Sequence, residues 1–112
     1  MNVQINYIQS NKLNNSLNLK VVSYKGVDNI LIDFGVNIIN KAYSLFDNIN
    51  GRVNYITDSF NSTFPDKSGI GKKWHCFVCP IGGGCGGYSV YTTTLILYST
   101  QKEKVYIVIF EK

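Results

Sequence analysis

The chain of 112 residues has room for one domain with one small core, which excludes large multi-domain enzymes with a cleft between two lobes. Hydrophobic residues make up 45% of the chain and charged residues 16%, as is typical of a globular fold. The net charge of +4 is mild, and its tightest cluster, Lys67, Lys72 and Lys73, is predicted to be a solvated loop. We therefore expect no nucleic-acid partner.

The start of the chain and its cysteines indicate the cellular compartment. Residues 1–10 lack both a basic head and a continuous apolar run, so we expect no signal peptide. No segment approaches the roughly 20 apolar residues of a membrane-spanning helix, and no membrane partner is expected. Because an obligatory disulfide scaffold needs cysteines in pairs and this chain has three, we predict a reduced, intracellular protein.

The first half of the chain begins with an asparagine-rich segment and a strand. Residues 1–18 are expected to form a flexible extension, because polar tracts bury too little surface to offset the entropy of ordering. Residues 19–24 predict a short strand, and residues 19–112 form the single predicted domain.

Two apolar stripes at helical spacing follow this strand and predict two amphipathic helices. Asp28 or Asn29 is the predicted cap of the first helix, and Gly35 is expected to weaken it. Residues 48–51 are predicted to form a turn, with Asn50 capping the second helix and Pro65 ending it. The stripes consist of Leu31, Phe34, Ile38, Ala42 and Leu45, and of Val53, Ile56, Phe60 and Phe64.

From residue 74 the apolar period changes from helical to alternating, which indicates a strand. The alternation places Trp74 and Cys76 on one face of this strand and His75 and Phe77 on the other. A glycine-rich break at residues 80–87 then interrupts the pattern.

Three more strands are predicted after the break, at residues 88–91, 95–98 and 105–110. The last of them is apolar on both faces, so we expect it to be central in the sheet or at an interface. The order β-α-α-β-β-β-β predicts an α+β fold in which two amphipathic helices pack on an antiparallel sheet.

The strongest candidate for metal chemistry is a set of four residues, His75, Cys76, Cys79 and Cys85. Zinc binds thiolates and imidazole, and a tight C-x-x-C turn presents two sulfur atoms to one ion. Against this, Cys76 and Cys79 lie in a strand-like run in which residues of odd separation face opposite ways. A small zinc-binding module is therefore kept as the alternative hypothesis, and no cofactor is expected under the main one.

Patterns that indicate an enzyme are weak. The glycines at residues 82–87 precede a strand rather than a helix, which argues against a phosphate-binding loop. His75 and Cys76 are neighbours on a strand and face opposite ways, so they do not pair as base and nucleophile. Since the chain shows no carboxylate pair either, we expect no enzymatic activity.

The strand opening Trp74-His75-Cys76-Phe77-Val78 is the most specific motif in the chain. It is preceded by Tyr55-Ile56 and Phe60 on the second helix, and followed by Gly86-Gly87-Tyr88, by Tyr98 and by the strand at residues 105–110. In this order, the motifs resemble the eight-kilodalton dynein light chain family over roughly residues 19–110.

The resemblance implies a non-catalytic adaptor that forms a homodimer by strand exchange. One strand, here residues 86–92, would cross to complete the sheet of the partner. The edge of the crossing strand would then bind an extended peptide of a client protein by β-strand addition. The segment between residues 79 and 88 is longer than in that family, which leaves open whether the strand crosses or folds back on its own chain.

The resemblance also implies site residues and partners. The peptide would contact Asn50, Gly86, Gly87, Tyr88, Ser89, Val90, Tyr91 and Tyr98. The dimer interface would include His75, Tyr88 and Val90. The implied partners are a second copy of the chain, the dynein intermediate chain and other client peptides. They would meet in a motor complex on microtubules, in the cytoplasm or in the axoneme of a cilium.

Overall fold

The computed structural model describes residues 15–83 and 92–112 of the chain. In these ranges two helices accompany a four-stranded antiparallel sheet of strand order β1-β3-β4-β2, which confirms the predicted α+β class. The elements are β1 (Lys20–Lys25), α1 (Asn29–Leu45), α2 (Ile49–Thr63), β2 (Trp74–Pro80), β3 (Thr94–Thr100) and β4 (Val105–Glu111). The predicted strand at residues 88–91 lies outside the described residues. Neither helix of the described ranges combines the length and the apolar character needed to cross a bilayer.

Both helices begin at a side-chain cap. The carboxylate of Asp28 accepts a hydrogen bond from Leu31 N at 3.1 Å, as predicted. The second helix begins earlier than predicted, because Asn48 caps it and accepts from Gly51 N at 2.7 Å. The predicted turn at residues 48–51 and the predicted cap Asn50 are therefore wrong, and Asn50 lies in the first turn of α2.

The core lies between the helices and one face of the sheet. Alternate residues of the strands point into it, so Trp74, Ile96 and Ile107 are buried on the same face as Cys76, which packs against the core. Strand β4 is central, between β3 and β2, which confirms the position expected from its two apolar faces. The helices contribute Ile32, Ile39, Ala42, Ile56 and Phe60.

A close approach between α1 and β3 explains the glycine inside the first helix. Gly35 is buried, and a Cβ atom there would collide with the hydroxyl of Tyr98. That hydroxyl donates a hydrogen bond of 2.6 Å to Ile32 O. Gly35 therefore has a packing role that the helical pattern did not reveal, because it leaves room for a fully buried tyrosine under the helix.

The described end of the asparagine-rich segment is part of the domain. Asn40 accepts from Leu17 N at 2.8 Å through Oδ1 and donates to Asn15 Oδ1 at 3.0 Å through Nδ2. Leu17 O in turn accepts from Thr100 Oγ1 at 2.6 Å, and the Leu17 side chain joins the core cluster. The predicted boundary after residue 18 is therefore too late, because residues 15–18 are packed and hydrogen-bonded.

We predict that Gly35→Ala destabilises the protein, although glycine to alanine in an open helix position usually stabilises it by about 1 kcal/mol. The added methyl group would collide with Tyr98, so we expect a loss of about 1–3 kcal/mol in the free energy of unfolding measured with urea. Asn54→Ala, at an exposed position of α2, is the matched control and should change stability little.

A double-mutant cycle with Tyr98→Phe tests the cause. Removing the hydroxyl relieves part of the collision, so the loss in the double variant should be smaller than the sum of the two single losses. A Gly35→Ala variant as stable as the wild type would contradict this account.

Candidate functional site

Strand β2 lies at an edge of the described sheet and pairs there with β4 alone. Its register is regular along its whole length, from Trp74 opposite Glu111 to Pro80 opposite Val105. The backbone ladder extends beyond both ends of the strand. Lys73 and Lys112 exchange two hydrogen bonds, of 3.0 and 2.9 Å, and the N–H of residue 81 donates to the carbonyl of residue 104 at 3.0 Å.

These end pairs fix the direction of every peptide group in β2. Hydrogen-bonded and non-hydrogen-bonded pairs alternate along an antiparallel ladder. Since residues 73 and 81 are bonded to the β4 side, the odd-numbered residues between them are also directed toward β4. The N–H and C=O groups of the even-numbered residues point to the sheet edge instead. These residues are Trp74, Cys76, Val78 and Pro80.

The edge-directed groups of Trp74 are bound by a side chain of α2. Trp74 N donates to Asn61 Oδ1 at 2.8 Å, and Asn61 Nδ2 donates to Trp74 O at 3.2 Å. The indole N–H of Trp74 also donates to Phe64 O at 3.2 Å, and its ring lies 5.1 Å from the ring of Phe60. The start of β2 is therefore fastened to α2 through both its backbone and its side chain.

The opposite edge of the sheet differs from β2 in two respects. Strand β1 is irregular, with a register shift between Val21 and Ser23, and it carries a lysine at each end, Lys20 and Lys25. Bulges and lysines are the features by which edge strands avoid pairing with another chain. Strand β2 has no register shift and no Asp, Glu, Lys or Arg, and proline, which also protects an edge, occurs only at its last position, Pro80. It is therefore the edge better suited to accept a strand.

The sheet face turned away from the helices is largely apolar on β2, β3 and β4, and we call this part the outer face. Its residues alternate along the three strands: His75, Phe77 and Cys79, Leu95, Leu97 and Ser99, and Tyr106, Val108 and Phe110. On β1 the same side of the sheet carries Lys20, Ser23 and Lys25. The Phe110 ring stacks on His75 at 5.2 Å and meets Phe77 edge-on at 5.8 Å. An antiparallel sheet with one face in water usually carries polar residues on that face, and the outer face differs from this pattern.

The predicted site residues fall into three groups. Residues 86–91, which include Tyr88 and Val90, lie outside the described residues. Asn50 is exposed at the start of α2, and His75 is exposed on the outer face. Tyr98 is fully buried under α1, so it has no surface for a peptide to contact and we remove it from the predicted site. Tyr98 lies on the same strand face as the core residue Ile96, two positions earlier. This alternation is the feature of the sequence that indicates the burial of Tyr98.

Arg52 supplies a positive charge beside Asn50 that sequence analysis did not identify. Its Nε donates to Phe46 O at 2.8 Å, and its guanidinium carbon lies 4.0 Å from the centroid of the Tyr43 ring. Burial raises the pKa of the Tyr43 hydroxyl, an effect that the nearby arginine partly offsets. The corner between the two helices therefore carries one guanidinium group that is held by a hydrogen bond and by an aromatic ring.

The structure describes three of the four residues of the zinc hypothesis, His75, Cys76 and Cys79. Burial raises the pKa of the Cys76 thiol to about 12, so this thiol is protonated at neutral pH in the metal-free protein. Cys79 is disulfide-bonded, which also corrects the expectation of fully reduced cysteines. Cys85 lies outside the described ranges. Within those ranges, no three metal-binding side chains lie together.

The loop before β2 is organised around one carboxylate. Asp66 accepts four hydrogen bonds, from the N–H and hydroxyl of Ser68 and from the N–H groups of Gly71 and Lys72, at 2.5–2.9 Å. These bonds, first of all the one from the Ser68 hydroxyl, lower the pKa of Asp66 from 3.8 to about 2. The loop thus has a defined shape where it leads into β2.

No protein-family profile matches the chain, and no curated protein matches it.

We predict that the Asp66 loop keeps its shape down to unusually low pH. Because the pKa is lower in the folded protein, the carboxylate stabilises the loop at every pH above about 3.8, and this contribution is lost as the pH falls through about 2. The amide chemical shifts of Gly71 and Lys72 should follow this titration in NMR spectra.

Ser68→Ala should move the midpoint of that titration upward, because it removes the hydroxyl donor that lowers the pKa most. Asp66→Asn should show no inflection and serves as the control. An unchanged midpoint in Ser68→Ala would disprove the role given to the hydroxyl.

Proposed function

We propose that this protein is a non-catalytic, dimeric adaptor that captures extended peptides by β-strand addition, as a dynein light chain of a microtubule motor complex. The observation that carries the proposal is the edge of β2. Its pairing register with β4 is regular, the strand contains no Asp, Glu, Lys or Arg, and its alternate peptide groups point away from β4. Such an edge meets the backbone requirement for accepting the crossing strand of a second copy, whose own free edge would then bind the client peptide. The specific assignment to dynein rests on the resemblance of the sequence motifs.

The outer face supports the dimeric form of this proposal. Phe77, Leu97 and Phe110 are only half-buried there, next to the fully buried Val108 at its centre. A second copy that donates a strand to the β2 edge would extend this face beyond Phe77, and packing of the body of that copy there would bury these residues. Burial of such residues contributes about 25 cal/mol per Å² of apolar surface, which favours association.

The corner between the helices supports the capture of a client peptide. In the proposed complex the client lies beside the crossing strand and near the start of α2, where Asn50 is exposed and Arg52 is held against Tyr43. The arginine uses Nε for the Phe46 carbonyl, and guanidinium groups carry further donors. The dynein intermediate chain and other clients with an extended, hydrogen-bonding segment are the proposed partners.

We predict a sedimentation-equilibrium mass of twice the 12.6 kDa of the chain at high concentration, with reversible dissociation on dilution. His75→Glu should weaken the dimer by about tenfold or more, because it places a carboxylate beside Phe110 on the outer face. Asn54→Glu makes the same change at an exposed position of α2 and should leave the dissociation constant unchanged.

A monomer at every concentration would contradict the dimer. Equal effects of the two glutamate variants would contradict its placement on the outer face.

We also predict that a screen of nonapeptides on an array finds clients whose binding depends on alternate backbone amides. N-methylation at every second position removes the donors that pair with a strand edge and should abolish binding, whereas methylation at the positions between should be tolerated. Binders that are insensitive to the methylation pattern would argue against strand addition, as would the absence of binders.

A further inference from the structure

We infer that Asn61 and Pro80 bound the edge of β2 to a window of two residues, Cys76 and Val78, so that a strand from a second copy can pair with these two residues of β2 alone. This inference rests on the proposed dimer. It adds a positioning role for Asn61, a residue that no sequence motif singled out.

At the first end of the window, Asn61 takes the place of a neighbouring strand. Its amide group both accepts from Trp74 N and donates to Trp74 O, at 2.8 and 3.2 Å. These are the two bonds that an adjacent strand would make with Trp74, since this residue is directed to the sheet edge. An incoming strand therefore finds the backbone groups of Trp74 already bound.

At the second end, Pro80 closes the window. Proline has no N–H to donate to a ladder. Its carbonyl, the remaining edge-directed group, accepts a hydrogen bond from Gly83 N at 3.1 Å. Within this strand of the described chain, only Cys76 and Val78 are left with both a donor and an acceptor directed to the edge, which is enough for a short pairing of two residues.

The window limits how far the pairing can extend along β2. A strand that continued past either end of the window would have to pair with Trp74 or with Pro80, and the edge-directed groups of both are closed. The occupant is the second copy of the proposed dimer, because the outer face reaches the edge at Phe77 and the body of a copy paired there would lie next to this face.

The test is amide hydrogen exchange, measured by NMR on the full chain at concentrations above and below dimer dissociation. In the wild type, the amides of Cys76 and Val78 should exchange at least about tenfold more slowly in the dimer, while the Trp74 amide should show the same protection at both concentrations. The Phe77 amide, directed to β4, reports on the intact sheet in every variant.

Asn61→Ala opens the first end of the window. The protection of the Trp74 amide should then depend on concentration in the same way as that of Cys76 and Val78, because the docked strand can reach it. Asn61→Asp still accepts from Trp74 N and should restore the wild-type behaviour of that amide. Asn54→Ala, on an exposed face of the same helix, should change nothing.

The outcomes separate the inference from the proposal on which it rests. If Cys76 and Val78 become protected with concentration but Trp74 in Asn61→Ala stays unprotected in the dimer, the bounding role of Asn61 is wrong and the dimer stands. If Cys76 and Val78 show no dependence on concentration in the wild type, both the strand-paired dimer and the window are wrong.

Discussion

Every second peptide group of β2 is directed away from its own sheet, and a backbone N–H or C=O that leaves water needs a hydrogen-bond partner. The chain meets this requirement at the two ends of the strand, where Asn61 binds the groups of Trp74 and Gly83 binds the carbonyl of Pro80. Between them, the groups of Cys76 and Val78 remain directed to the edge. In the proposed dimer these groups accept the strand of a second copy, which needs no catalytic or metal-binding side chain.

The two faces of the sheet differ in what covers them. The helices cover the inner face. Helix α1 packs so closely on the sheet that a side chain at Gly35 would collide with the hydroxyl of Tyr98. The outer face carries Phe77, Leu97 and Phe110, which a polar, solvent-facing sheet side would not. The proposed dimer would bury these half-exposed residues.

Local patterns predicted the elements of the fold, but contacts between elements could not be predicted from them. The helical stripes, the Asp28 cap and the alternation from Trp74 follow from short-range periodicity. Asn48 and Asn50 are equally good caps by composition, and only the packing of the helix corner selects Asn48. For the site, the resemblance supplied the candidate residues. The roles of Asn61 and the burial of Tyr98 depend on pairings 13 and 66 residues apart, which no local pattern encodes.

The most direct test of the central claim is an isotope-filtered NOE experiment on an equimolar mixture of labelled and unlabelled chains. It detects contacts between two copies and suppresses contacts within one copy. Strand pairing between copies predicts cross-peaks from the amide protons of Cys76 and Val78 in the labelled chain to protons of the unlabelled chain. Contacts of these amides to their own chain alone, in a sample whose mass is that of a dimer, would contradict the account.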